Sequence, residues 1–376
     1  MRFDSGVYIH SGDVAGYPPI EEWGGTAKLL ESAGFTGVWL AEHHFFWDGW
    51  LQPSATNPVL LGAYFAAITR HLRIGQCGVC LPDWHPLRVA EDVAMLDHLS
   101  GGRVDFGMIR GINGPTSGNF NPNADRRDQR SNQALFWESL DIIEKAWSDE
   151  PWHHAGEFYT FPYPGWRDET AKPDSLDRHY YAADGELTAL SVLPRPYQRG
   201  GPPRWLMADS VSSTIKGAER GLGVMSWGQS FAATEAAWSA YRAALPQEGT
   251  PERLAIMRPV FVAPTAEEAE SAMRPSINIL LEHTVGKTGS WRSRRAFLAQ
   301  DEELTKHDET DDWYDFLTRH EWCFVGTPDF VVERLKRFQA DLGCEHLVLY
   351  WALPALNIDM VTASIKLFAN KVMPCF

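Results

Sequence analysis

The chain has 376 residues, of which 44 % are hydrophobic, and this is enough for one large barrel with insertions or for two domains. A formal net charge of −15 argues against nucleic acid or an anionic membrane as a partner. No apolar run approaches the roughly 20 residues that span a bilayer, and the N-terminus lacks the apolar core of a signal peptide. Five cysteines, an odd number, argue against a disulfide framework, so a cytoplasmic protein is expected.

Strand patterns and helix patterns alternate along most of the chain. Apolar runs predict strands at 7–9, around Val38, and at 72–81, 104–109, 204–208, 223–227, 254–262 and 346–351. Helical spacing and capping residues predict helices at 20–33, from Pro58, from Pro86, and at 131–147, 210–220, 232–244, 267–283, 328–342 and 359–372. Eight or nine strands that alternate with helices predict an eight-fold β/α barrel, the TIM barrel, and a doubly wound sheet is the alternative.

Two stretches interrupt this alternation, and both are expected to be insertions in a single barrel domain of residues 1–376. Residues 148–203 are rich in proline, glycine and aromatic side chains. Residues 284–320 are highly charged and irregular. Within them, 284–312 are expected to form a mobile lid, because two glycines could act as hinges and so charged a segment has little apolar surface to bury.

The helix from Pro58 is apolar on more than one side. Its main apolar face is expected to consist of Val59, Leu60, Ala63, Tyr64, Ala67 and Ile68. Three further apolar residues lie off that face: Leu61, Phe65 and Ala66. The next helix carries apolar residues at helical spacing, which are Val89, Ala90, Val93, Leu96 and Leu99. Because a helix that is apolar all round is normally buried, these two helices predict a dimer.

The strand around Val38 ends in Glu42, His43 and His44, where β/α barrels hold their chemistry. Adjacent strand residues point to opposite faces, so at most one of the two histidines continues the inward direction. The triplet could supply an acid–base histidine, a structural histidine pair, or a metal site that would also need a distant ligand such as His85. The acid–base interpretation is favoured over the metal site, because the two imidazoles do not converge.

Cys77 and Cys80 have the spacing of a redox motif but lie inside a predicted strand, which favours two small buried residues. The chain also has sixteen tryptophans, and several in probable loops could wall an aromatic pocket, although ordinary packing is the alternative. These loop tryptophans are Trp47, Trp50, Trp84, Trp166, Trp291 and Trp313.

Arg110 follows a buried strand, where a guanidinium is costly unless an anion meets it. Asp209, Ser210, Ser212 and Ser213 open a helix, and their side chains could either cap it or hold a phosphate. Together the arginine and the hydroxyl-rich helix start suggest a site for a monophosphate.

Several stretches resemble bacterial luciferase and its relatives, the luciferase-like flavin-dependent monooxygenase superfamily. They are VWLAEHHF at 38–45, LPDWHPLRVAEDVAMLD at 81–97, SGGRV at 100–104, GMIRG at 107–111, AERGL at 218–222, VGTP at 325–328, KLF at 366–368 and VMP at 372–374. The resemblance spans nearly the whole chain and implies a β/α barrel that binds reduced FMN.

Position by position, the resemblance implies that His43 performs acid–base steps beside the flavin ring and that Glu42 lines the same pocket. The cofactor-binding residues that it implies are Cys77, Gly78, Arg110, Asp209, Ser210, Ser213 and Trp227. The resemblance also implies that a non-proline cis peptide joins Cys77 to Gly78 under the ring and that Trp227 stands beside the ring.

The same resemblance implies that Arg110 and the helix start at Asp209, Ser210 and Ser213 bind the flavin phosphate. Two positions depart from the pattern of the family. Ile109 stands where luciferase has a reactive cysteine, and Asp209 replaces a glutamate.

The implied reaction uses oxygen and reduced FMN delivered by a separate flavin reductase. Oxygen adds at the flavin C4a carbon, and the resulting (hydro)peroxyflavin oxygenates a small apolar or ring-bearing organic substrate. The alternatives are an oxidoreductase that uses the deazaflavin F420 on the same barrel, a non-catalytic subunit of a heterodimer, and a metal hydrolase. The retained His43 and Arg110 argue against the non-catalytic subunit.

Overall fold

The computed structural model describes residues 1–7, 20–44, 56–111, 114–246, 250–282, 293–351 and 353–376. Its strands are β1 Arg2–Val7, β2 Gly37–Leu40, β3 Arg73–Gln76, β4 Val79–Cys80, β5 Val104–Ile109, β6 His154–Ala155, β7 Thr160–Phe161, β8 Arg204–Met207, β9 Gly223–Ser226, β10 Leu254–Val262, β11 Phe324–Gly326 and β12 His346–Tyr350. Its helices are α1 Ile20–Ser32, α2 Pro58–Ile68, α3 Pro86–Ser100, α4 Gly114–Phe120, α5 Gln129–Ala146, α6 Val211–Glu219, α7 Phe231–Ala244, α8 Ala266–Leu281, α9 Lys306–Thr310, α10 Trp313–Arg319, α11 Pro328–Leu342 and α12 Ile358–Lys371.

Parallel strands close into a barrel in the order β1, β2, β3, β5, β8, β9, β10 and β12, and β12 pairs back with β1. The register sets Asp4 opposite Gly37 and Gly37 opposite Arg73. The short strand β11 pairs with the end of β10 and stands outside this ring. The predicted eight-fold β/α barrel is therefore confirmed.

The described chain forms two compact units. The first consists of Met1–Val79, Arg103–Ile109 and Pro203–Phe376, and it contains the whole barrel ring. The second consists of Cys80–Gly102 and Arg110–Pro202, and it contains α3, α4, α5 and the antiparallel pair β6–β7. The insertion expected at 148–203 thus supplies β6 and β7, and the single-domain organisation stays a prediction.

Local sequence accounts for where the helices begin and end. The Asn57 side chain accepts hydrogen bonds from the first amides of α2, and the Thr327 side chain does the same for α11. A proline follows each cap at the first helical position, where its missing N–H has no helical partner to lose. Gly101 and Gly343 end α3 and α11 with φ near +67° and +68°, a left-handed conformation that favours glycine.

Two indoles fill the interior of the barrel. Trp39 of β2 and Trp205 of β8 meet edge to face, with their ring centroids 5.6 Å apart. Glycine opposite each ring makes the space: a Cβ on Gly75 would lie 2.4 Å from Trp39, and one on Gly223 would lie 2.6 Å from Trp205. Around these rings packs the interior cluster, which comprises Trp39, Ala41, Cys77, Trp205, Met225, Ala255, Met257 and Val348.

Buried charges occupy the amino-terminal end of the barrel strands. The fully buried Asp4 carboxylate accepts hydrogen bonds from Trp39 Nε1 at 2.8 Å and Arg2 Nη2 at 2.6 Å, and it lies 2.8 Å from His346 Nε2. Burial alone would raise the pKa of Asp4, but His346 and Arg2 hold it well below its usual range. This end serves stability, which leaves the carboxyl ends of the strands for chemistry.

The predicted faces of α2 and α3 are wrong in part. Leu61, Phe65 and Ala66 of α2 are buried, whereas Leu60 is 70 % exposed. On α3, Leu99 is 61 % exposed. Since α2 is apolar on both sides, its sequence does not reveal which side packs on the barrel.

The predictions for residues 284–320 are wrong where the structure describes them. Residues 284–292 lie outside the described residues, but 293–320 contain α9 and α10 and are not irregular. Phe297 and Leu298 are buried in a core cluster with residues of α8 and α10. Residues 293–312 are therefore not loosely held. The helices form because Thr305 and Asp312 cap them, and the Asp308 side chain completes the capping box of α9.

Smaller differences concern strand limits. The first strand begins at Arg2, five residues before its predicted start at Val7, and residues 8 and 9 lie outside the described residues. The predicted strand 72–81 is divided into β3 and β4. In the part of the chain that the structure describes, no helix combines the length and the apolar character needed to cross a bilayer.

Candidate active site

The end of β2 carries the predicted catalytic residues. Glu42 is buried, and its Oε1 lies 2.7 Å from Nε2 of His44. Residues two apart share one side of an extended chain, so the alternation of side chains predicts that His43 takes the other side. Ala41, two residues before His43, belongs to the interior cluster. His43 is half-buried, and we expect it to be the histidine that continues the inward face.

The end of β3 has the cis peptide that the resemblance implies, between Cys77 and Gly78, and this expectation is confirmed. Cys77 packs in the interior cluster. A Cβ on Gly78 would lie 2.7 Å from the backbone nitrogen of Met108, so the close approach of this segment to β5 requires glycine. Burial, and then the neighbouring Cys77, raise the pKa of Tyr350 at the end of β12, so this hydroxyl keeps its proton.

Trp227 follows β9 and packs against the interior cluster and a second core cluster. Its ring meets Trp322 edge to face, with centroids 5.3 Å apart. The Asp209 carboxylate accepts hydrogen bonds from the amides of Trp227 at 2.8 Å and Gly228 at 3.0 Å. The side chain of Asp209, predicted at a phosphate, thus holds the loop after β9.

Arg258 was not singled out by the sequence reasoning, yet it is fully buried beside this loop. Its Nη1 donates to the carbonyl oxygens of Trp227 at 2.8 Å and Met257 at 3.0 Å. Its Nη2 donates to the carbonyl of Gln229 at 2.8 Å and to Thr234 Oγ1 at 3.0 Å. One signal could have found it: it is the only charged residue in the nine-residue strand LAIMRPVFV.

Arg110 begins the second stretch of the second unit and is half-buried. Within the described ranges, no residue forms a hydrogen bond or an ion pair with its guanidinium. Burial, and then repulsion by Arg126, lower the pKa of Arg110. A half-buried cation beside a second cation is the environment that an anion stabilises.

Asn132 of α5 holds both arginine segments. Its amide nitrogen donates to the carbonyl of Arg110 at 3.2 Å, and its amide oxygen accepts from Nη1 of Arg126 at 3.1 Å. Asn132 is fully buried on a helix face that is otherwise mostly apolar. That polar residue at a core position was the signal in the sequence, and neither Asn132 nor Arg126 was predicted.

The sequence allowed two roles for the side chains at the start of α6, helix capping and phosphate binding. The structure has the capping geometry. Ser210 Oγ accepts a hydrogen bond from the Ser213 amide at 3.2 Å and donates to Ser213 Oγ at 2.9 Å. Ser210 and Ser212 are exposed. The cap is therefore confirmed, and phosphate binding at this helix start stays a prediction.

The aromatic pocket also stays a prediction. Trp47, Trp50 and Trp291 lie outside the described residues. Trp313 is instead a core residue, buried against Phe297 and Phe316.

Known proteins share this sequence and fold. The sequence model of the luciferase-like monooxygenases matches residues 1–346. The oxygenase component of flavin-dependent trigonelline monooxygenase from Acinetobacter baylyi is 25 % identical over 360 residues, which cover 93 % of this chain and 88 % of that protein. N-acetyl-S-alkylcysteine monooxygenase from Bacillus subtilis is 28 % identical over 353 residues, which cover 92 % of this chain and 90 % of that protein.

A solved structure agrees with the barrel. It is the oxygenating constituent of 3,6-diketocamphane monooxygenase from Pseudomonas putida in complex with FMN, with a TM-score of 0.74 and 22 % identity, covering 100 % of this chain and 98 % of that chain. At this identity the likeness concerns the fold, whereas the family match extends over nearly the whole sequence. The chain therefore belongs to the luciferase-like monooxygenase family and is an enzyme of the flavin-dependent monooxygenase class.

Proposed function

We propose that this monooxygenase takes reduced FMN from a separate flavin reductase and inserts one atom of O2 into a small apolar or ring-bearing organic molecule. Reduced flavin, when bound, supplies the two electrons that convert the second oxygen atom to water. The Acinetobacter relative is named an oxygenase component, which supports a separate reductase. The observation that carries the choice of a phosphorylated flavin is the guanidinium of Arg110.

Arg110 fits the phosphate of FMN for an electrostatic reason. It is half-buried without a hydrogen-bond or ion-pair partner in the described part of the chain, and Arg126 repels it. A dianionic phosphate relieves this repulsion and accepts charge-assisted hydrogen bonds from guanidinium groups. Asn132 keeps Arg126 in place by accepting its hydrogen bond. We therefore add Arg126 to the phosphate ligands that the resemblance implies.

The residues at the carboxyl ends of the barrel strands fit the flavin ring. Cys77 and Trp227 pack at the interior cluster, and His43 is proposed to continue the inward face of β2. We propose that His43 holds or moves a proton beside the ring. Glu42 contacts His44, so we propose that it orients this strand end and lines the same pocket.

At the start of α6, we propose the hydroxyl groups of Ser210 and Ser213 as phosphate ligands, as the resemblance implies. The Asp209 carboxylate is left out because it accepts hydrogen bonds from two backbone amides. A phosphate at a helix start gains from the exposed amides and from the helix dipole.

The test of the flavin assignment compares FMN with riboflavin, which lacks the phosphate. Arg110→Ala should weaken binding of reduced FMN by about 2–4 kcal/mol, as for a buried charge pair that loses one partner. Riboflavin should lose little affinity. Arg127→Ala is a matched control, because Arg127 is exposed and already paired with Asp125. If the parent protein binds FMN and riboflavin equally well under anaerobic conditions, the phosphate assignment is wrong.

Oxygen consumption separates this function from hydride transfer with F420. The parent protein with reduced FMN and a suitable substrate should consume O2 and carry one of its atoms into the product. Labelled O2 followed by mass spectrometry of the product measures this directly. An F420-dependent oxidoreductase would form its product without oxygen.

A further inference from the structure

Trp227 is held by its backbone from three directions. Its amide donates to Asp209 Oδ1 at 2.8 Å, and Asp209 follows β8. Its carbonyl accepts two hydrogen bonds, from Arg258 Nη1 at 2.8 Å and from Trp322 Nε1 at 2.8 Å. These partners come from β10 and from the segment before β11, so three separate parts of the barrel unit fix one residue. We call Asp209, Arg258 and Trp322 the Trp227 clamp.

Among the three residues of the Trp227 clamp, Arg258 is the one whose burial costs the most free energy. Its guanidinium is fully buried and donates to four neutral oxygens, three of which are backbone carbonyls. Taking a charged guanidinium out of water costs several kcal/mol, which the four hydrogen bonds of its two Nη groups offset in part. A core strand would be as stable with an apolar residue here, so packing alone does not account for an arginine.

The geometry explains what an arginine adds. Its planar fork reaches the carbonyls of Trp227 and Gln229 at once, which fixes the direction of the chain between them. Lysine has a single nitrogen at its tip and cannot span the two carbonyls in the same way. The chain direction at Trp227 in turn sets where its indole points, and the ring is held further by its edge-to-face contact with Trp322.

We infer that Arg258 is a positioning residue that orients the indole of Trp227 at the carboxyl end of the barrel strands. Its effect on cofactor binding rests on the proposed function, in which Trp227 stands beside the flavin ring. Its effect on the indole itself does not, because the clamp consists only of this chain's own residues.

The orientation of the indole can be measured without cofactor. The protein is labelled with 5-fluorotryptophan, and the resonance of Trp227 among sixteen tryptophans is assigned by its loss in Trp227→Phe. In Arg258→Lys, the 19F resonance of Trp227 should shift or broaden, because the charge is kept but the fork is lost. Thr234→Val removes only one acceptor of Arg258 and should move the same resonance by a smaller amount.

Arg103→Lys is the matched control. The Arg103 guanidinium likewise donates to four neutral oxygens, at Thr69 Oγ1, Leu72, Ala66 and Thr69, but at the end of α2. This variant should be less stable than the parent and yet keep the Trp227 resonance unchanged. An unmoved Trp227 resonance in folded Arg258→Lys would overturn the inference. If that variant does not fold, an unmoved resonance in Thr234→Val overturns it instead.

A double-mutant cycle then asks whether Arg258 acts through Trp227. Arg258→Lys and Trp227→Phe should each weaken reduced FMN by roughly tenfold or more, as for groups that orient a ligand contact. The double variant should bind no more weakly than Trp227→Phe alone, because Arg258 can no longer act through the indole of Trp227 once that indole is replaced. Additive losses would contradict the positioning role. If the parent protein binds no flavin, the proposed function fails, whereas the 19F result still decides the role of Arg258.

Discussion

At the scale of single residues, one contact separates two neighbouring histidines. His44 lies 2.7 Å from Glu42, whereas we expect His43 to take the side of Ala41, which belongs to the interior cluster. The alternation of strand side chains thus gives adjacent imidazoles different surroundings. The same rule applies to Arg258 of β10. Its neighbour Met257 belongs to the interior cluster, so Arg258 takes the other side of the strand, where it donates to Thr234 of α7.

His43→Ala should bind reduced FMN nearly as well as the parent protein but release most of the consumed oxygen as hydrogen peroxide. The reason is that this variant removes the group proposed to hold a proton beside the ring and keeps the proposed phosphate ligands. Parallel assays of peroxide and of oxygenated product measure this coupling. His44→Gln is the control, since its amide can still donate to Glu42. Unchanged coupling in His43→Ala would remove His43 from the mechanism.

At the scale of elements, the charged segment 293–320 is ordered by its own charges. His320 lies between two carboxylates, with Nδ1 2.8 Å from Glu302 Oε1 and Nε2 3.0 Å from Asp308 Oδ1. Arg319 pairs with Asp308, which is fully buried. Burial alone would lower the pKa of His320, but the hydrogen bonds to Glu302 and Asp308 raise it above its usual value. Burial alone would raise the pKa of both acids, yet the hydrogen bonds that they accept hold it below the usual range.

The stabilisation from this carboxylate–imidazole–carboxylate cluster should depend on pH. A raised histidine pKa contributes stability that is complete below the unfolded value of about 6.5 and is lost as pH rises through the folded pKa. The lowered acid pKa values contribute stability above their unfolded values of about 4, which is lost as pH falls through the folded values. The cluster should therefore stabilise most between about pH 4.5 and 6.5.

His320→Gln tests this window. The variant should lower the free energy of unfolding by about 2 kcal/mol near pH 5.5, as for hydrogen bonds to charged groups, and the difference should shrink above neutral pH. Denaturant unfolding at several pH values measures it. His98→Gln is the control for loss of an imidazole outside the cluster, since His98 contacts the carbonyl oxygen of Arg195. A difference for His320→Gln that grows with pH would contradict the assignment.

At the scale of the whole molecule, the outward side of α2 leaves apolar surface in water. Leu60 is 70 % exposed, and Ala67 of the same helix is also exposed. Exposed apolar side chains in a contiguous row are typical of an interface. We therefore still expect a homodimer that buries this side of α2, although the predicted apolar face of this helix was wrong in part.

Leu60→Glu should convert the dimer to a monomer at micromolar concentration, because a charge in the centre of an apolar interface is costly to desolvate. Light scattering coupled to size-exclusion chromatography measures the mass. Ile358→Glu is the control, because Ile358 is 47 % exposed on α12, away from α2 in sequence and on a different helix. A parent protein that is monomeric, or a Leu60→Glu variant that remains dimeric, would contradict the proposed interface.

The sequence by itself determined the features that depend on neighbouring residues. The limits of α11 and β10 were predicted without error, because a capping threonine and proline mark the helix and an apolar run marks the strand. The alternation of such elements predicted the barrel, and the motifs predicted the family and the cis peptide at Cys77–Gly78.

Only the tertiary structure decided the features that join residues far apart in the chain. It selected the buried face of α2, since both faces are apolar and only packing distinguishes them. It joined Asp209 and Arg258 to the loop of Trp227, and it set Arg126 against Arg110. It also ordered the segment 293–320, where composition indicated mobility, because His320 joins Glu302 and Asp308, a pairing that sequence spacing does not reveal. Local patterns fix elements, whereas the pairing of buried charges depends on which elements the fold brings together.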